Sequence, residues 1–188
     1  MSAKVTWGGI AGLAAAVLLI ISAILNQMSR GSGASSHYLN VVVLVAYIAV
    51  IVAVLGIQAL HSGKPRYGRL GTTGAVLTMT GYAIIAVMTV ISMVQGQRSL
   101  LPVRLTGAGL VLVGSALLGV IIILARLLPW WCGVLLIVTF PLGHFANALF
   151  RSAENLLMAL LWGSVGVALL IRRQEVDQPL LTQPARTG

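Results

Sequence analysis

The sequence predicts an all-α fold, a polytopic membrane protein with six transmembrane helices in an up-down bundle. Three observations lead there. Of 188 residues, 59% are hydrophobic and only 8% charged, whereas a soluble domain holds about 45–50% apolar and about 25% charged residues. Mean hydropathy is +1.01. The apolar residues also gather into six runs, each near the roughly 20 residues that a helix needs to cross about 30 Å of hydrocarbon. Twelve basic and three acidic side chains cannot cover a water-soluble globule. A cytosolic enzyme, a nucleic-acid-binding domain and a disordered chain are thereby excluded.

The spans follow in order at about 7–27, 38–60, 70–94, 104–125, 130–149 and 154–171. The first follows Lys4, and its apolar run exceeds the about 7–15 residues of a signal-peptide core, so an uncleaved helix is expected. Residues 28–37, rich in Ser and Gly, separate it from the second. Gly63, Pro65 and Gly68, interleaved with Lys64, Arg66 and Arg69, mark the next break. A third break covers 95–102, and the fourth is only 126–129. The fifth span contains Pro141 and Gly143. It is either kinked at Pro141 and closed by a tight turn near Ser152, or broken there with a long helix starting near His144. The first alternative is expected, because Ser152 is a good N-cap and Glu154 in the following turn suits the helix dipole. From 172 to 188 the chain is polar and carries Pro179 and Pro184. A disordered cytoplasmic tail is expected there.

The net charge of +9 comes from basic residues scattered singly between apolar runs, which is the pattern of helix flanks rather than of a nucleic-acid surface. With six spans both termini share a side. That side holds Lys4, Lys64, Arg66, Arg69, Arg126, Arg172, Arg173 and Arg186; the other holds Arg30, Arg98, Arg104 and Arg151. The positive-inside rule therefore puts both termini in the cytoplasm. Trp7, Trp130 and Trp131 then fall at the cytoplasmic interface. Cys132, the single cysteine, excludes an intrachain disulfide and a thiolate zinc site; it reads as a small buried hydrophobe near a helix end.

Lipid supplies no hydrophobic force between helices, so close backbone approach has to hold them together. Small residues mark the faces where this is expected. They are Gly8, Gly12 and Ala16 in the first span, and Ala46, Ala49, Ala53 and Gly56 in the second. The third carries Gly71, Gly74, Thr78, Gly81 and Tyr82, and the last Gly163 and Gly166. In the fourth, Gly107 and Gly114 repeat the spacing of Gly74 and Gly81. Such faces pack within the bundle, or bind a membrane-protein partner or a second copy of the chain. A transport pathway lined by them is the sharper alternative. Against ion-coupled transport, no Asp, Glu, Lys or Arg lies mid-span.

Candidate chemistry is sparse. The acidic residues are Glu154, Glu175 and Asp177, so there is no carboxylate pair in the membrane, no Ser–His–Asp set and no HExxH motif. No metal site and no cofactor is expected. His61, among basic loop residues, reads as a solvated interfacial side chain. A bis-histidine haem needs two rings facing each other at one depth, and His37 with His144 is the single pair of histidines on one side, without any recognisable motif. The most informative stretch is PLGHFANALFRSAEN, 141–155. Its His144, Asn147 and Arg151 are spaced three and four, hence on one helical face, and Glu154 extends the stripe or faces Arg151 across a turn. A polar stripe beside a proline is a candidate ligand site, comprising His144, Asn147, Arg151 and Glu154. The plainer alternative is that these side chains tie helices together. Trp162, near mid-span, needs a partner for its indole N–H.

The run RLLPWWCGVLLIV followed by LLWGSVGVALLIRR, within 126–173, resembles the closing helices of small bacterial six-span membrane proteins of unknown function. The resemblance implies the six-span layout and no activity. The expected function is that of a non-enzymatic accessory or interaction protein of a bacterial plasma membrane. The alternative is a carrier or sensor of a small apolar or lipid molecule using the outer polar site. A haem or quinone redox subunit is the third.

Overall fold

The computed structural model describes residues 3–28, 35–61, 67–95, 101–126, 128–150 and 152–177. They form α1 (Ala3–Met28), α2 (Ser35–His61), α3 (Gly68–Gln95), α4 (Leu101–Ala125), α5 (Trp130–Leu149) and α6 (Ala153–Asp177). All six helices are long and apolar enough to cross a membrane, and the described residues include no strand. Each helix overruns its apolar stretch by a few residues at one end or both, except α5, which keeps the expected bounds. At α6 this corrects the expected start of the tail. The helix continues to Asp177 because nothing between 172 and 177 breaks it, the next proline being Pro179. Residues 178–188 lie outside the described residues.

α5 passes through Pro141 without a break. Proline has no N–H to donate to the Ile137 carbonyl, yet the helix continues to Leu149, so no long helix starts near His144. The chain reverses at Phe150 and Ser152. Phe150 N–H donates to Ala146 O at 2.7 Å, and Ala153 N–H to Phe150 O at 3.0 Å. Ser152 takes a left-handed φ of 77° and stands at the N-cap position of α6, its carbonyl accepting the Leu156 N–H at 3.2 Å. Its hydroxyl accepts a bond from Asn26 Nδ2 at 2.7 Å, which ties the end of α1 to this turn.

Every helix packs against its neighbours in sequence, and α6 closes the ring against α1, with a smaller contact to α2. Glycines set the closest approaches. A Cβ on Gly8 or Gly56 would collide with the other glycine's Cα, which joins α1 to α2. A Cβ on Gly12 would lie 2.9 Å from the Trp162 carbonyl oxygen and 3.0 Å from Gly166 Cα, which joins α1 to α6. In α3 and α4 the equal spacing has a geometric reason. Gly74 faces Gly114, and Gly81 faces Gly107, as two antiparallel helices require when both carry glycines at the same interval. Gly119 and Gly133 repeat the arrangement between α4 and α5. The small-residue faces are thus internal to the bundle, and large apolar side chains such as Ile10, Ile48, Val87 and Leu160 face outward to lipid.

The ring has two ends. The terminal end carries the start of α1 and the end of α6; the turn end carries the α5–α6 reversal. Trp7, Trp130 and Trp131 are exposed at the terminal end, and Cys132 is buried there. His61, at the same end, corrects an expectation. It is not solvated but 0% exposed. Its Nδ1 bonds to Ile57 O at 2.8 Å, and its ring stacks on Tyr67 with centroids 5.0 Å apart. Tyr67 follows the loop and folds back over the end of α2, in space that Gly71 leaves free: a Cβ there would be 2.6 Å from the Tyr67 ring. Burial pushes the Tyr67 hydroxyl up to about 12, so it stays neutral at any physiological pH.

Candidate functional site

At the turn end the ring encloses a cavity of about 260 Å³. α6 supplies its longest wall. Glu154, Met158 and Trp162 recur at intervals of four and so share one face. At 1.5 Å per residue they span about 12 Å along the helix axis. Glu154 stands at the rim, and Trp162 lies two turns deeper, 1% exposed.

The rim is polar. Arg104, in the first turn of α4, lines it together with His144, Glu154 and Asn155. His144 Nδ1 lies 3.7 Å from Glu154 Oε1, an ion pair whenever the imidazole is protonated; the two side chains are 62% and 29% exposed. The His144 ring stacks on Phe140 one turn deeper, with centroids 5.6 Å apart. Gly143 brings these helices together, because a Cβ there would be 3.2 Å from Glu154 Cγ. Among the described residues no carboxylate pairs with Arg104.

Below the rim the walls are aromatic. Tyr47 from α2 and Tyr82 from α3 meet at 5.6 Å between centroids, their planes 43° apart. Tyr82 meets Trp162 edge to face at 6.3 Å. The Tyr82 hydroxyl donates to Met158 Sδ at 3.7 Å, and a thioether is a weak acceptor. Trp162 Nε1 is buried against Tyr82. Charge at the rim and aromatic faces below it form a polarity gradient along one shaft.

The sequence-predicted residues divide. His144 and Glu154 meet and line the cavity. Asn147 closes the reversal, its Oδ1 accepting the Ser152 backbone N–H at 2.9 Å. Arg151 lies outside the described residues, as does the side chain of His37, and with it the haem pair proposed for His37 and His144. Tyr47, Tyr82 and Arg104 are members that sequence reasoning missed. Arg104 was read only as a topogenic charge, and neither tyrosine differs in sequence from an ordinary packing residue. Among the described residues no group of three His, Cys, Asp or Glu side chains is placed to hold a metal ion. The chain matches no protein-family model, no curated protein and no solved structure.

Proposed function

We propose that this is a non-enzymatic carrier or sensor in a bacterial plasma membrane, and that its cavity holds a small amphiphile with the charged group at the rim. One observation carries the reading: a cavity open at the turn end has Arg104, His144 and Glu154 at its rim and Tyr47, Tyr82, Phe140 and Trp162 below them. The balance of basic residues supports cytoplasmic termini, which makes the turn end exterior and gives the ligand access from the outer leaflet. An accessory protein joined to partners by its glycine and alanine faces has less support, because those faces close the bundle on itself.

The test is thermal stability in mild detergent, with and without bacterial polar lipid extract, for wild type, Arg104→Gln, Glu154→Gln and His144→Ala. Extract is expected to stabilise the wild type, by about 2.7 kcal/mol where the ligand reaches 100 times its Kd. The gain should shrink most in Arg104→Gln, and Glu154→Gln should shift it in the opposite direction, since the two residues carry opposite charges on one rim. Equal gains in all four proteins would contradict the site.

A further inference from the structure

We infer that protonation of His144 tightens the hold of the rim on an anionic ligand head, so that the cavity binds such a ligand better as the medium at the turn end acidifies. The inference rests on the binding reading above and adds its regulation, a proton taken up together with the ligand.

The charge on the rim is balanced and adjustable. Arg104 and Glu154 line one opening with opposite charges, and among the described residues they form no ion pair with each other. While the imidazole is neutral the two charges offset, and an anion drawn by the guanidinium is repelled by the carboxylate. His144 stands beside that carboxylate, its Nδ1 3.7 Å from Glu154 Oε1, with its ring held against Phe140. A proton on the ring completes an ion pair with Glu154 and leaves the rim with one net positive charge. Histidine is the side chain whose ordinary charge change falls between about pH 5 and 8. The His144 side chain is 62% exposed, so protons reach it from the turn end. The other ionisable groups facing the cavity are Glu154 from α6, Arg104 from α4, Tyr47 from α2 and Tyr82 from α3. Carboxyl, guanidinium and phenol groups ordinarily titrate outside that range, and from α1 the lining has only Leu19. The coupling is reciprocal: an anion at the rim favours the protonated ring as much as that ring favours the anion.

Octyl sulfate serves as the probe because its charge is fixed across this range, and octanol, with the same chain and no charge, is its control. Titration calorimetry of the full chain in mild detergent measures both at about pH 7.5 and about pH 5.5, on either side of the ordinary histidine transition. Wild type is expected to bind octyl sulfate about fivefold more tightly at the lower pH, the effect of one unit charge about 4 Å away in water, and octanol equally at both. His144→Gln should remove the pH dependence. Glu154→Gln should bind octyl sulfate at the higher pH about as tightly as wild type does at the lower, because the net charge on the rim is then the same. His144 is exposed, so its replacement leaves the packed faces intact. A wild-type affinity for octyl sulfate that does not change with pH, or a change of the same size in His144→Gln, overturns the proton coupling and leaves the cavity reading standing. Binding of neither probe at either pH, together with a wild type that lipid extract does not stabilise, overturns both.

Discussion

Asn147 and Glu154 stand on either side of one helix reversal, and their side chains do different things. Asn147 Oδ1 accepts the Ser152 N–H and fixes the turn; Glu154 points to the cavity and His144. Asn147→Ala should therefore cost about 1 kcal/mol of stability, the usual worth of one hydrogen bond, and leave the response to lipid extract intact. Thermal melts of the variant with and without extract check both halves. The spacing of the stripe was legible in the sequence, because an i, i+3, i+7 pattern needs only helical geometry. The role of each member was not. Whether a polar side chain faces a neighbouring helix, a turn or a cavity depends on the reversal at Ser152, and its left-handed φ is unannounced by a serine. Trp162 stood out because an indole N–H needs a partner. Tyr47 and Tyr82 did not, since they become a wall only when α2, α3 and α6 converge.

Among elements, α3 and α4 carry the clearest test of packing. A Cβ on Gly114 would collide with the Thr78 backbone nitrogen, whereas one on Gly109 of the same helix meets nothing within 4 Å. Gly114→Leu should lose about 1–3 kcal/mol, the usual cost of overpacking. Gly109→Leu should be neutral or slightly stabilising, because leucine is the better helix former. Denaturation of the two variants in the same detergent decides the matter, and equal stability would mean that the α3–α4 interface is not where the glycines place it. This interface was legible in advance. Two glycine pairs at one interval, on helices joined by a short connection, have a single antiparallel register that brings them face to face. The burial of His61 was not legible, because its cover, Tyr67, lies beyond a stretch whose sequence reads only as a basic break between spans.

For the whole molecule, composition decided the class, since twelve basic and three acidic side chains in 188 residues leave no water-soluble alternative. The proposed orientation rests on the distribution of those charges. Reporter fusions after Arg69 and after Arg173 should both read as cytoplasmic, and one after Arg98 as exterior; a cytoplasmic signal after Arg98 would refute the assigned sidedness. That the ring of six helices leaves a cavity at its turn end was beyond the sequence, because a void is a property of all the contacting faces together. The central claim is that this void is a binding site. Native mass spectrometry of the protein, released gently from bacterial membranes, tests it most directly. The account predicts that wild type retains a small molecule of constant mass, and that Arg104→Gln retains much less of it. Bare protein in both spectra, or the same adduct at equal occupancy in both, would contradict the account.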